Sequence, residues 1–461
     1  MKSKRKKIKS MEEKKILVFG TGKSGIAAAE LLLEKGAEVI LYDGNESLDE
    51  EEIRALLNTK KQVMVLLGEL PQEVIETLSL AVLSPGIPLD SPEAERIKAA
   101  GVKIWGEIEL AAYFSKGQVL AVTGTNGKTT TTALTGAIMK AAYPDVYVVG
   151  NIGIPYTSVA LQTNGDTVTV AEVSSFQLET IVRFAPKVSA ILNITPDHLN
   201  RHHTMENYTD VKLAITKNQA KDDTCILNYE DERLREKSSD IPAKVVFFSS
   251  RRELEEGIFL SGEDIWLKMP GKREQICNVR ELQLIGRHNY ENVMAAVAMA
   301  YCYGVPLKVI KKVIKSFRAV EHRIEYVTTK RGIRFYNDSK GTNPDAAIQA
   351  IRAMRWPTCL IGGGYDKQSE YSEWIKSFEG KVKKLVLIGQ TREKIAAEAS
   401  ACGFSDYVFA DSLEEAVRIC YDAAQDGDAV LLSPACASWG MFPNYEKRGE
   451  LFKEIVYSLK E

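Results

Sequence analysis

The sequence predicts an α/β protein of three domains, and three observations predict it. Its 461 residues exceed what one hydrophobic core usually supports, at roughly 150 residues per domain. Short apolar runs of strand length alternate with helical patterns along the chain, as in parallel sheets covered by helices. Polar, glycine-rich turns directly follow several of those runs, where open α/β sheets bind ligands. The composition, 45% hydrophobic and 26% charged, excludes disordered, collagenous and disulfide-scaffold readings.

The first segment is placed at residues 1–107, with 1–14 expected to be a disordered basic tail. KKILVFG reads as a strand, a helix follows from near Ser24, and AEVILYD, LAVLSPG and a stretch around VKIW read as further strands. GTGKSG, positions 20–25, matches GxGxxG between a strand and a helix, and Asp43 ends the next strand where a dinucleotide ribose ligand would sit. The same turn suits a nucleotide-sugar diphosphate, with Lys23 and Ser24 as candidate contacts, or serves as a tight structural turn.

The second segment is placed at residues 108–318. It starts with the strand QVLAVTG, passes through GTNGKTT into a Thr- and Ala-rich helix, and continues with strands near DVYVVG, TVTVAEV and VSAILNIT. Residues 224–285 look β-rich, and RHNYENVMAAVAMAYCYG reads as a helix ended by Gly304 and Pro306. In the turn Gly124, Thr125, Asn126, Gly127, Lys128, Thr129 and Thr130, backbone amides and the helix start can wrap phosphates. Lys128 can reach terminal phosphates and a Thr hydroxyl can bind magnesium. The full GxxxxGK[ST] pattern needs Gly at 122, where this chain has Val122, so the loop is a shorter variant. Glu172, His198 and Lys212 follow as a candidate cluster for a divalent ion bridging phosphates. His198, His202 and His203 also permit zinc, but Pro196 and Asp197 put His198 in a loop or first turn, and no thiolate or second carboxylate completes a tetrahedral set.

The third segment is placed at residues 319–461, with strands at IRFYND, TCLIGG, KKLVLIG and DAVLLSP. EHRIE with Arg323, NDSKGTNP, GGGYDK and SPACASWGMFPNYEKRG lie around the ends of these strands, where loops of one sheet edge gather.

Charge and cysteine usage limit the partners. The formal net charge is −2, and residues 1–10 hold six bases and no acid, so the remainder carries −8, which argues against nucleic acid. The basic run itself reads as a solvated tail or as an arm, and Met11 is an alternative start. Gly20, Gly22, Lys23 and Gly25 interrupt the first apolar stretch, so neither a secretory signal nor a membrane span is expected. Seven scattered cysteines without a CxxC pair fit a reducing cytoplasm. A monomer is expected.

GTNGKTT, the Glu172 and NITPDHLNRH segments, the helix with Lys212, GRHNYENVMAA, HRIE, NDSKGTNP and LLSPACASWGMFPNYEKRG, in this order, resemble the Mur ligases of peptidoglycan synthesis from about Lys15 onward. The resemblance implies a Rossmann-like N-terminal domain for a UDP-sugar, a central P-loop ATPase α/β domain and a Rossmann-like C-terminal α/β domain for the incoming amino acid. NDSKGTNP and SPACAS look most like the members that use UDP-N-acetylmuramoyl-L-alanine and D-glutamate. By the same resemblance, ATP and two magnesium ions are the cofactors, and an acyl phosphate is the intermediate. Lys128 would hold the β- and γ-phosphates, Thr129 and Glu172 one magnesium, and His198 with a carbamylated Lys212 the second. Asn151 would contact ATP and the reacting region, Asn289 and Arg323 the adenine and phosphate side, Asp338 the ribose, and Lys340 the phosphates. Thr342, Lys367, Ser438, Trp439 and Tyr445 fall where the family contacts D-glutamate. The loop after Asp43, GNES, lacks the Thr-Arg pair that some members place on the nucleotide phosphate. Competing readings are a folate-polyglutamylating ligase, a nucleotide-sensing binding protein and an NAD-dependent dehydrogenase. The last leaves GTNGKTT unexplained.

Overall fold

The computed structural model describes residues 11–59, 61, 63–151, 153–318 and 320–460. The chain divides into two compact units: Met1–Phe259 with Leu267–Lys272 and Met294–Ile310, and Leu260–Trp266 with Arg273–Val293 and Lys311–Glu461.

The first sheet belongs to β1 (Lys15–Phe19), α1 (Lys23–Glu34), β2 (Glu38–Asp43), α2 (Glu50–Leu56), β3 (Met64–Leu67), α3 (Gln72–Thr77), β4 (Leu80–Leu83), α4 (Pro92–Ala99) and β5 (Ile104–Gly106). Its five strands lie parallel in the order β3-β2-β1-β4-β5. The helix α5 (Glu107–Phe114) leads on to β6 (Gln118–Thr123), α6 (Lys128–Ala142), β7 (Val146–Gly150), β8 (Val168–Glu172), α7 (Ser175–Leu178) and β9 (Val188–Ile191). Next come α8 (Leu199–His202), α9 (Met205–Leu213), β10 (Thr224–Asn228), α10 (Glu232–Lys237), β11 (Lys244–Ser249) and β12 (Gly257–Ser261), then β13 (Asp264–Met269) and β14 (Lys272–Asn278). These strands form one sheet, β14-β13-β12-β11-β10-β9-β6-β8-β7, parallel from β12 to β7.

After α11 (Arg287–Tyr303) and α12 (Leu307–Ser316) come β15 (Glu325–Lys330), β16 (Ile333–Asn337), α13 (Pro344–Ala353), β17 (Thr358–Gly363), α14 (Ser372–Lys376) and β18 (Val382–Ile388). The chain ends with α15 (Arg392–Ala401), β19 (Tyr407–Phe409), α16 (Leu413–Ala423), β20 (Ala429–Leu432) and α17 (Tyr445–Ser458). This third sheet runs β15-β16-β20-β17-β18-β19, with β15 antiparallel to β16.

Central strands read as unbroken apolar runs because both faces are covered: β4, β9 and β20 are buried at every position. The strands that sequence reasoning passed over, β3, β15 and β19, each lie at a sheet edge and are only half-buried. Edge positions tolerate polar residues, so no apolar run announces them.

Residues 11–14, expected within a disordered tail, are instead held in place. Met11 packs into the core, Glu13 N donates to Gly36 O, and Glu38 N donates to Lys14 O. Residues 1–10, with the basic run, lie outside the described residues. Two buried carboxylates of α5 fix its place against the second sheet's connections. Glu107 accepts from Thr157 N and Oγ1 at 2.7 and 2.9 Å, and Glu109 accepts from the amides of Val182, Arg183 and Phe184. Among the described residues no helix is long and apolar enough to cross a membrane, and all seven cysteines are free thiols.

Candidate active site

The phosphate-loop candidate sits between β6 and α6. Gly124 and Gly127 take positive φ of 143° and 87°, conformations that side chains rarely adopt. A Cβ on Gly124 would also lie 3.0 Å from Leu192 Cβ, so the loop packs closely on the end of β9. Thr125 N donates to Asn193 O, Asn126 N to Asn193 Oδ1 at 2.8 Å, and Asn193 Nδ2 back to Asn126 O at 3.1 Å. Thr125 Oγ1 meets Thr195 and, at 3.2 Å, Tyr208 Oη. Lys128 opens α6, its Nζ donating to Gly124 O and Thr125 O, while Thr129 is half-buried and Thr130 buried on the first turn.

Lys212 comes to the same loop from α9: its buried Nζ donates to Gly124 O at 2.9 Å. Burial, and then the nearby Lys128 charge, push this amine down to about 7. At the end of β8, Glu172 is buried and accepts from Asn151 Nδ2 at 2.9 Å through Oε1. Its Oε2 has no partner among the described residues. A Cβ on Gly150 would lie 2.2 Å from Glu172 O, so only glycine lets β7 approach and deliver Asn151 there.

A buried carboxylate oxygen left unpartnered is costly, and a hard divalent cation with oxygen ligands would satisfy it. The buried, half-satisfied Glu172 carboxylate therefore fits magnesium.

His198 caps α8 in the left-handed conformation, half-exposed, with Asp197 Oδ2 at 3.5 Å and the Phe176 ring at 4.9 Å. The three histidines diverge, and the zinc alternative fails on this geometry. His202 turns inward to Ser175 Oγ at 2.9 Å and is held down to about 4 mainly by burial, whereas His203 is exposed beside Asp90.

In the first sheet, Thr21 N and Oγ1 donate to Asp43 Oδ2 at 3.1 and 2.9 Å, so Asp43 closes the GTGKSG turn. A Cβ on Gly25 would lie 1.8 Å from Gly20 O, which explains that glycine. Lys23 is exposed and Ser24 half-buried at the start of α1.

The second unit carries its own cluster. Asp338, buried at the end of β16, accepts from Ser433 Oγ at 2.7 Å and from Ile324 N at 3.2 Å. Burial raises it to about 7 against the opposing effects of Ser433, Arg323, the Ile324 amide and Arg448. Arg323 lies between His322 and Ile324, which both take positive φ, 64° and 47°. For a β-branched residue that backbone is strained by about 1–3 kcal/mol. Arg323 Nε is buried without a hydrogen-bond partner among the described residues, so part of its fork is left for a ligand. Asn289 is buried, donating to Ile285 O and accepting from Asn292, which leaves one N–H and one lone pair of its amide.

Lys340 lies over the Tyr445 ring and Lys367 over the exposed Trp439 ring at 4.6 Å, with Tyr365 edge-on to Trp439. Thr342 is half-buried and Ser438 buried in the neighbouring loops.

Sequence reasoning missed Asn193, Tyr208 and Arg448. Arg448 is buried in α17 and donates to Ser339 Oγ, Ser339 O and Cys436 O, tying the Asp338–Lys340 turn to the Cys436 loop. In YEKRG it reads as one more solvated charge, and only its packing reveals it.

Residues 14–106 match the description "Mur ligase MurD-like, N-terminal domain", 122–300 "Mur ligase middle domain" and 322–436 "Mur ligase, glutamate ligase domain". The chain is 59% identical over 448 residues to the UDP-N-acetylmuramoylalanine–D-glutamate ligase of Lachnoclostridium phytofermentans, covering 97% of this chain and 99% of that one. Its identity to the enzyme of the same name from Lachnospira eligens is 53%, covering 97% and 100%. Among solved structures, UDP-N-acetylmuramate-alanine ligase from Thermotoga maritima superposes with a TM-score of 0.60 at 18% identity, covering 97% of this chain and 100% of that one. The MurF ligase from Thermotoga maritima in complex with ADP superposes with a TM-score of 0.58 at 17% identity, covering 97% and 95%. These structures share the fold.

Proposed function

This chain belongs to the Mur ligase family, and we propose that it joins D-glutamate to UDP-N-acetylmuramoyl-L-alanine in peptidoglycan precursor synthesis, at the expense of ATP. The observation that carries the reading is the convergence of Lys128 and Lys212 on the Gly124 carbonyl, at a glycine-rich strand-to-helix turn, in a chain this similar to ligases of that name. The reaction takes place in the cytoplasm, on small-molecule substrates, with the chain acting as a monomer.

An oxygen of the L-alanine carboxylate attacks the γ-phosphorus of ATP, the bond to ADP breaks, and an acyl phosphate forms. The D-glutamate nitrogen then attacks the acyl carbon, phosphate leaves with the C–O electron pair, and the nitrogen loses a proton. ATP thus supplies the leaving group that a carboxylate lacks. What remains for the protein is to position anions and to offset their repulsion.

The loop amides that Asn193 does not engage, with the start of α6, receive the phosphates. Lys128 exchanges its loop carbonyls for β- and γ-phosphate oxygens. Thr129 and Glu172 would hold one magnesium, and His198 with Lys212, once carrying a carbamate, would hold the second. When bound, magnesium would neutralise phosphate charge. Asn151 orients Glu172 and the reacting end of the substrate.

Arg323 offers its unpaired N–H to the nucleotide phosphates, Asp338 accepts from the ribose, and Lys340 adds charge. Asn289 presents its remaining amide positions to the adenine side. Lys23 and Ser24 take the UDP diphosphate at the start of α1. Asp43 holds the turn shut through Thr21 and lies beside the ribose. Thr342, Lys367, Ser438, Trp439 and Tyr445 form the D-glutamate pocket, in which Lys367 pairs with a carboxylate.

Mass spectrometry of the product tests the reading. Incubation with ATP, UDP-N-acetylmuramoyl-L-alanine and D-glutamate should give a UDP-sugar heavier by one glutamyl residue. No such product from active, folded protein would overturn it.

A further inference from the structure

We propose that Arg201 and Glu179 are positioning residues for this ligation, coupling the loop beside the GTGKSG turn to the short helix that presents His198. The proposal rests on the functional reading above for its kinetic half only.

Arg201 lies on α8, three residues after His198. Its Nε and Nη2 reach Glu179 Oε1 and Oε2 at 3.4 and 2.6 Å, and the two side chains are only 12% and 13% exposed. The same guanidinium donates to Pro85 O at 3.3 Å and Ile87 O at 3.0 Å, and lies over the Phe176 ring at 4.4 Å. An arginine that needed only a counter-charge would be satisfied by Glu179. Here the carboxylate sets the plane of the fork, and the remaining N–H groups clamp main-chain carbonyls that belong to the first sheet's loops.

Those carbonyls are well placed to transmit position. Ser84 N donates to Phe19 O, Ile87 N to Ser84 O, and a Cβ on Gly20 would lie 2.6 Å from Ser84 Oγ. Residues 84–87 and the GTGKSG turn are therefore one packed loop cluster. At the other end, Phe176 carries both the Arg201 guanidinium and the His198 imidazole on its ring, and Glu179 Oε1 lies 3.4 Å from His202 Nδ1. The substrate spans the two ends: its nucleotide diphosphate meets the GTGKSG side and its carboxylate reacts near His198. A displacement of about 1 Å between bound groups can cost on the order of 100-fold in rate. The phosphate loop is braced separately by Asn193 and Thr125, so nucleotide binding need not follow.

Arg201→Met keeps the packing stem and removes the fork, and Arg201→Lys keeps charge without bidentate geometry. Each is compared with wild type in two assays. Amide hydrogen exchange of the unliganded protein should quicken across residues 84–90 in both variants, with residues 118–130 unchanged. In steady-state assays, kcat/KM for the UDP-sugar should fall by at least about ten-fold while KM for ATP stays within about two-fold. If Arg201→Met proves unfolded, Glu179→Gln, which keeps the shape and removes the charge, takes its place with the same expectations. Unchanged exchange at 84–90, or an equal loss for both substrates, overturns the proposal. If wild-type protein shows no ligation at all, the functional reading fails, and the exchange pattern alone decides whether Arg201 clamps the loop.

Discussion

Lys128 and Lys212 donate to one and the same carbonyl oxygen, that of Gly124, each at 2.9 Å. Two ammonium groups on a single acceptor repel, and Lys212, 1% exposed, is the buried partner that burial and the Lys128 charge bring down to about 7. Near neutral pH a substantial share of Lys212 is therefore free amine.

That amine can add carbon dioxide, forming an N–C bond with loss of one proton and turning a like-charge clash into an anionic oxygen ligand. Lys212→Ala should be nearly inactive, and a small carboxylic acid such as acetate, fitting the vacated space, should partly restore turnover. Below a pH of about 7 the amine is protonated and cannot react, so wild-type activity should drop as pH falls through that value. Wild-type turnover by folded Lys212→Ala, without added acid, would contradict the carbamate.

Lys128→Ala should lose at least about 100-fold in kcat, the usual scale for removing one charge-stabilising group. Lys128 Nζ donates to Gly124 O and Thr125 O, and the variant is expected to fold. Thermal unfolding and phosphate release check both points. Near-normal release would mean that GTNGKTT is not the phosphate loop.

Asp338 makes ligand-free stability depend on pH. Its folded carboxyl is raised to about 7, against about 3.9 unfolded, so between these values the folded chain holds a proton that the unfolded chain has released. This group's contribution is complete below the unfolded value and is lost as pH rises through about 7. Relative to wild type, Asp338→Asn should gain thermal midpoint as pH is raised from about 5 to about 7 and level off above that. A difference independent of pH would show that Asp338 is ionised throughout.

D-glutamate brings two carboxylates, and Lys367, held over Trp439, is the exposed cation of its loop. Lys367→Ala should raise KM for D-glutamate by about ten-fold or more and leave KM for ATP nearly unchanged. Equal changes in both would assign Lys367 to general architecture.

Much of this was legible because glycine-rich turns and buried parallel strands have strong local signatures. GTNGKTT announced its place between β6 and α6, and β4, β9 and β20 announced theirs as apolar runs. Edge strands such as β15 were silent because a strand with no buried position shows no apolar run, and β15 has none. Asn193 and Arg448 were silent for another reason: their work is to hold backbone groups from distant loops, and spacing along the chain carries no trace of such partners. Glu172 could be named from its motif, but the unpartnered Oε2 that makes it a magnesium candidate is visible only in the packing.

A ligase commits ATP cleavage to amide formation. Phosphate release is followed continuously with ATP alone, with ATP and UDP-N-acetylmuramoyl-L-alanine, and with D-glutamate added. Sustained release should appear only in the complete mixture, because an acyl phosphate without an amine stays bound. Steady release from ATP alone at the rate of the complete mixture would contradict the account and leave a nucleotide switch in its place.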